Sequence, residues 1–253
     1  MLRIRRIRLK SPDDIKRIRD AGIIIADIFR QIARRSLIGI STWELDSTIE
    51  SNIVRQKARP AFKTVPGYSA SSCISINNEV VHGIPSKKRK IKNGDLVKID
   101  TGAVLNGFFS DACYTFAAGR VSENAGILIR VSQESLRSAI AVMRPGNRIG
   151  DIGNAIQEYA ESMGFSVVRS YTGHGVGFSL HEPPIVPHYG KKGTGGLLQP
   201  GMVLAVEPMI NEGDYATRLL DDGWTAVTAD GKLSAHFEHT VAITDDGPLI
   251  LTE

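Results

Sequence analysis

The sequence predicts an α+β fold in which two related halves share one antiparallel sheet with helices packed on it. Three observations carry the prediction. Two helical segments are followed by strand-like segments, and the same order then repeats. Parts of the halves align at a constant offset of 107 residues, with Gly39 on Gly146, Leu45 on Ile152, Ile49 on Ile156 and Glu50 on Gln157. That offset also lays Asn93-Gly94 on Pro200-Gly201 and carries Asp100 onto Glu207. Helical apolar spacing is common and produces chance matches, but a carboxylate landing on a carboxylate at the shared offset favours duplication, with a site between the halves.

The elements follow from local chemistry. Ser11-Pro12-Asp13-Asp14 supplies a cap, a first-turn proline and acids at the positive end of a helix dipole, so a helix is predicted from there to about Arg35. A second runs from near Thr42 to about Lys57, ahead of Arg59-Pro60. Strand signals follow at Ser72–Ile76 and Leu96–Val104. Two further helices are predicted at about Glu123–Met143 and Gly150–Met163, stopped by Pro145-Gly146 and Gly164. Strands return at Met202–Val206 and Glu238–Ile243.

A chain of 253 residues is long for one ordinary domain but can bury a single sizeable core. No polar linker divides it. Residues 11–253 therefore read as one domain with halves of about 11–121 and 122–253, after a basic segment at 1–10. No apolar stretch approaches a membrane span, and the alternation in MLRIRRIRLK lacks the apolar centre of a signal peptide. Cys73 and Cys113 alone make neither a disulfide framework nor a thiolate zinc site, so the cytoplasm is the simplest compartment. A net charge of +4 weakly favours transient association with a polyanion such as the ribosome. The two basic clusters, residues 1–10 and Lys87-Lys88-Arg89-Lys90, read as solvated surface. Without interleaved aromatics they give no reason to expect DNA or another nucleic acid as substrate.

The strongest local signal is Leu96–Phe116. Asn106-Gly107 between alternating segments marks a two-residue hairpin, in which opposing residues carry numbers summing to 213. Asp111 then faces Gly102, two places from Asp100, and both acids share a face as diagonal neighbours roughly 7–8 Å apart at the backbone. Carboxylates so placed repel unless a cation neutralises them. Alone, two solvent-facing hairpin acids would be the better explanation of the pattern. The other donors shift the balance: His174 amid the glycines of Tyr171–Gly177, His181 seven residues on, Glu207 closing the apolar run Val203–Val206, and Glu238 entering the apolar run to Ile243. Four carboxylates and a histidine suit Mn²⁺, Fe²⁺ or Co²⁺, with Zn²⁺ also compatible. In the same register Cys113 sits across from Asp100, a position beside a metal site rather than one of ligand or nucleophile.

These motifs resemble those of type I methionine aminopeptidase, a metallopeptidase with the pita-bread fold, from about Ile7 onward. The likeness rests on Ser75–Pro85, Asp100 with Asp111, His174–Pro183, Glu207-Pro208 and Ser234–Thr240. The 30 residues between Glu207 and Glu238 leave no room for the helical insertion of type II enzymes. The resemblance implies removal of N-terminal methionine from nascent polypeptides when the second residue is small. It implies two divalent metal ions per chain, with Asp111 and Glu238 bridging them, Asp100 completing one site, and His174 with Glu207 completing the other. Two cations sharing a water lower its pKa and supply hydroxide at neutral pH. Glu207 is the implied proton shuttle, and His82 and His181 position the peptide and stabilise the tetrahedral intermediate. Tyr68, Cys73, Leu180 and Trp224 match the methionine pocket; each taken separately is equally well explained by core packing. Leu180 stands where an aromatic is frequent, Val65 where tyrosine is frequent and His236 where glutamine is common. In a regular strand His236 shares a face with Glu238 and adds a hydrogen bond to the metal shell.

Two other readings compete. A proline-directed peptidase of the same fold resembles the chain at His174, His181 and Glu207, but there an acid usually follows the final glutamate, and His239 follows Glu238 here. A non-catalytic binding protein of this fold would typically have lost metal ligands, whereas all five are present.

Overall fold

The computed structural model describes residues 7–253; residues 1–6, most of the basic segment expected at 1–10, lie outside the described residues. The first half contributes α1 (Pro12–Ala33), α2 (Thr42–Arg55) and strands β1 (Arg59–Pro60), β2 (Ser72–Ile76), β3 (Glu79–Val81), β4 (Leu96–Leu105) and β5 (Phe108–Ala117). The second half contributes α3 (Glu123–Ala141) and α4 (Ile149–Ser162), then the short strands β6 (Ser166–Val167), β7 (Gly173–Gly175) and β8 (Glu182–Val186). It continues with β9 (Val203–Val206), β10 (Met209–Asn211), β11 (Thr217–Leu219), β12 (Ala226–Thr228), β13 (Ser234–His236), β14 (Glu238–Thr244) and β15 (Gly247–Ile250).

The helices begin where the capping chemistry places them. The Ser11 hydroxyl accepts from the Asp14 amide while the Asp14 carboxylate accepts from the Ser11 amide, and Ser41 with Glu44 repeats the arrangement at α2. Each such cap contributes about 1 kcal/mol. Along α1 the apolar residues fall on one stripe, and Ile18, Ile25 and Ile28 are wholly enclosed. Each of these stabilises the fold by roughly 1.5–3 kcal/mol. α1 and α2 pack on β4 and β5 around Ile25, Ile49, Ile99 and Val97. α3 and α4 cover the other half around Leu128, Ile152, Leu204 and Phe237.

One nine-stranded sheet takes strands from both halves in the order β1-β4-β5-β14-β9-β7-β8, with β2 beside β4 and β15 beside β14. The halves meet at β5 and β14, where Cys113 pairs with Glu238 and Ala112 with His239. Around that seam β4 corresponds to β9 and β5 to β14, so the duplication expected from the offset is a pseudo-two-fold arrangement of strands. The β4–β5 hairpin has the anticipated register, from Leu105 opposite Phe108 down to Leu96 opposite Ala117. Its turn residues Asn106 and Gly107 lie at φ 50° and 86°, the left-handed pair that a two-residue turn requires.

The two basic clusters do not form purely solvated surfaces. Lys10 is buried with its ammonium on Glu182, and Arg89 is half-buried, bonding Glu79 and the Ile74 and Ile84 carbonyls. Their aliphatic stems cover apolar surface and their charges find fixed partners, which composition alone does not reveal. No helix of the described residues is long and apolar enough to cross a membrane.

Candidate active site and metal centre

Five neighbouring strand positions each deliver one donor. Across the sheet order β4, β5, β14, β9, β7 these are Asp100, Asp111, Glu238, Glu207 just past the end of β9, and His174. Asp100 pairs with Cys113 and Asp111 with Gly102, so alternation of side chains turns both acids to the same face. Cys113 is also the partner of Glu238, and His174 that of Ala205, two residues before Glu207. Glycine is required on both sides of His174. A Cβ on Gly173 would lie 2.3 Å from the Ala205 carbonyl oxygen, and one on Gly175 would lie 2.3 Å from that of Pro183.

The donor atoms of Asp111, His174 and Glu238 lie within 4.8 Å of one another. His174 Nε2 is 3.5 Å from Glu207 Oε1, and His236 Nε2 is 3.9 Å from Glu207 Oε2. Asp100 Oδ1, Asp111 Oδ1, Glu238 Oε1 and His236 Nε2 are buried without a hydrogen-bond partner. Unpaired buried oxygens of this kind are rare, because each forfeits its hydration. Burial, then mutual repulsion, holds Asp100, Glu207 and Glu238 well above the usual carboxylate range. Burial likewise pushes Asp111 up to about 7. It drives His174 down to about 4, leaving a neutral imidazole suited to ligation. Converging carboxylates with orphaned oxygens beside a neutral histidine fit a divalent cation, which would neutralise the repulsion and fill the empty coordination.

Over this floor lies a cavity of about 200 Å³. Asp100, Asp111, Glu207 and Glu238 line it together with His82, His181 and the packed apolar group Tyr68, Cys73, Leu180 and Trp224, of which Cys73 is the strand partner of Asp100. All four residues expected in the apolar pocket are thus brought together, and Val65 lines it too. His82 adopts φ 60°, rare for a residue with a side chain, and its ring packs edge-on to Tyr171 and Trp224. The His181 ring packs at 4.4 Å on that of His174. Burial lowers the pKa of both His82 and His181. His236 closes β13 and Glu238 opens β14, with Phe237 between them in the core.

Two contributors escaped the sequence reading. Phe62 lines the apolar wall from a short turn that carries no recognisable motif. Lys98, two places before Asp100, is fully buried, and its ammonium donates to the Asn77 and Ser234 carbonyls at 2.8 Å each. A lysine amid Leu96, Val97 and Ile99 was the available signal for it.

Fold and donor set together define a metal-dependent hydrolase with the pita-bread fold. Residues 16–245 match metallopeptidase family M24, and the chain belongs to that family. It is 50% identical over 244 residues to methionine aminopeptidase of Clostridium perfringens, covering 96% of this chain and 98% of that one. It is 47% identical to methionine aminopeptidase 1 of Bacillus subtilis, at 96% and 98% coverage. The crystal structure of methionine aminopeptidase from Thermotoga maritima superposes with a TM-score of 0.96 at 44% identity, covering 98% of this chain and all of that one.

Cys113 lies between Asp100 and Glu238, wholly enclosed, with its Sγ 3.7 Å from the His236 carbonyl oxygen. Burial and then the neighbouring carboxylates raise its thiol pKa well above the ordinary value. A thiol held protonated is a packing group, so Cys113→Ser is expected to keep most activity in steady-state assays. A loss beyond about tenfold would assign the sulfur a direct part in the reaction.

Proposed function

We propose that the chain removes the N-terminal methionine from nascent polypeptides whose second residue is small, with two divalent cations at the five-donor centre. The observation that carries the proposal is an apolar cavity set directly over converging, unpaired carboxylates. In this reading Asp111 and Glu238 would serve both ions, Asp100 would complete the set for one, and His174 with Glu207 would complete the set for the other. Mn²⁺, Fe²⁺ and Co²⁺ suit that set, and Zn²⁺ is compatible. When bound, such ions supply Lewis acidity and make a nucleophilic water available near neutral pH. Residues of both halves meet at this one centre, so we take the chain as a single catalytic domain.

The protein's own groups do the rest. Tyr68, Cys73, Leu180, Trp224 and Phe62 form a soft apolar wall that suits an unbranched thioether. His82 and His181, neutral at pH 7 because burial lowers their pKa, offer ring N–H groups to the substrate carbonyl and to the charge that develops on its oxygen. Glu207, whose Oε1 lies 3.5 Å from His174 Nε2 and which lines the cavity, is the carboxylate placed to take up a proton and pass it to the leaving amine.

The test is a peptide panel with Met-Ala-Ser, Met-Pro and Ala-Pro substrates under several divalent metals. Met-Ala-Ser should be turned over fastest. Faster cleavage of Ala-Pro would favour a proline-directed peptidase and overturn the proposal.

A further inference from the structure

His181 is exposed as a residue but turns its ring onto that of His174 in the cavity, so the direction of the ring depends on the turn that carries it. That turn, Phe178–His181, lies between β7 and β8 and also presents Leu180 to the cavity. Glu182, the next residue, folds its carboxylate back under the turn. Its Oε1 accepts from the amides of Phe178 and Ser179 at 2.5 and 2.8 Å, and its Oε2 accepts from Lys10 Nζ at 2.7 Å. The two charged side chains are only 2% and 7% exposed. A buried pair of this kind is sound only when its remaining hydrogen-bonding capacity is met, and here two backbone amides meet it.

The molecule is shaped around Lys10. A Cβ on Gly177, which lies at φ 136°, would approach Lys10 Cε to 2.9 Å. A Cβ on Gly201 would approach the Lys10 carbonyl oxygen to 2.8 Å, while the Lys10 amide donates to the Gly201 carbonyl at 2.7 Å. Arg8 stacks over the Phe178 ring at 4.0 Å, adding a second hold on the same turn. The chain ahead of α1 therefore runs as a strap across the base of the loop that bears His181.

We propose that Lys10 is a positioning residue for His181 and Leu180, acting through the Glu182 carboxylate. The ammonium fixes the carboxylate, the carboxylate fixes the Phe178 and Ser179 amides, and these fix the direction of the imidazole. This rests on the reading in which His181 acts on the peptide. A misplacement of about 1 Å at such a group can cost about a hundredfold in rate.

The test compares Lys10→Met, which keeps the stem in its slot and removes the charge, with wild type as the metal-loaded full chain. On Met-Ala-Ser, kcat should fall about ten- to a hundredfold with KM within about threefold. In a His181→Ala background the same substitution should change kcat by less than about twofold, because residues acting through one another are not additive. Unchanged kcat in the single variant, or an equal loss in both backgrounds, would overturn the inference. Glu182→Gln carries the same expectations and keeps the question open to measurement if Lys10→Met does not fold. Hydrogen exchange separates this inference from the functional reading. The Phe178 and Ser179 amides should exchange at least about tenfold faster in either variant even if no substrate is cleaved. Unchanged protection would overturn the strap, whereas failure of wild type on Met-Ala-Ser would overturn only the function.

Discussion

Asp111→Asn is expected to lower kcat/KM on Met-Ala-Ser at limiting metal by at least about a hundredfold, while the metal-free variant unfolds at a higher temperature than metal-free wild type at pH 7.5. The two effects have one cause. Asp111 sits between Asp100 and Glu238 on adjacent strands, and its Oδ1 is buried with nothing to neutralise it. An asparagine keeps the shape and discards a charge that only a cation can offset, so the empty fold is relieved of repulsion. The backbone is held independently, because the Thr240 hydroxyl accepts from the Asp111 amide at 3.0 Å and donates to its carbonyl at 2.8 Å. An amide oxygen is a poor bridge between two cations, and a hundredfold loss asks about 2.7 kcal/mol of that difference. Steady-state kinetics with metal at limiting concentration and thermal unfolding in chelator are the measurements. Full activity at limiting metal would sink the assignment of Asp111 as a shared ligand.

The hairpin and the caps were readable because they are local. Asn106-Gly107 fixes the register of Asp100 against Cys113 within a span of a few residues, and Ser11 and Ser41 meet their capping acids three positions on. The offset that carries Asp100 onto Glu207 also pointed to two halves meeting at a site. Strand order was a different matter. That β14 inserts between β5 and β9, setting Glu238 against Cys113, is a pairing across more than a hundred residues, and no periodicity encodes it. Glu238 was legible as a donor because an acid enters an apolar run there. The motif resemblance added only its shared role with Asp111, and the geometry brings donor atoms of the two within 4.8 Å.

The misread residues were charged side chains whose partners are remote in sequence. Lys10 meets Glu182 and Lys98 meets the Asn77 and Ser234 carbonyls, and from composition each looks like one more surface cation. Both bury a charge to hold a segment that frames the cavity. Lys10 braces the turn of Leu180 and His181, and Lys98 ties the Asn77 turn ahead of His82 to the strand ending in His236. Patterning of apolar and polar residues locates a core, but it cannot say which cation has been drawn into it.

Chelation is expected to abolish turnover, with Mn²⁺, Fe²⁺ or Co²⁺ restoring it, and the rise in unfolding temperature on adding metal should grow between pH 5.5 and 7.5. The linkage follows from the acids. Asp111 at about 7, and Asp100, Glu207 and Glu238 well above their ordinary range, hold protons in the metal-free fold that the unfolded chain has already lost. Their contribution to stability is complete below the unfolded values near 4 and is lost as pH rises through the folded values. Bound cations take the place of those protons, so metal competes with protons at pH 5.5 and meets a destabilised, anionic cluster at 7.5. His174, already neutral above its folded value of about 4, adds no proton to displace in this range. Lys98, lowered to about 7 by burial, contributes with the opposite sign, because the unfolded chain binds its proton more tightly. It holds no metal, so its share largely cancels when loaded and metal-free protein are compared at one pH. Ligand-linked stabilisation reaches about 2.7 kcal/mol at a hundred times Kd, enough to move the unfolding temperature by several degrees. Unfolding curves with chelator and with Mn²⁺ at pH 5.5, 6.5 and 7.5 give the difference directly. A metal-induced rise that does not change with pH, or turnover that survives chelation, would refute a centre built from these four carboxylates.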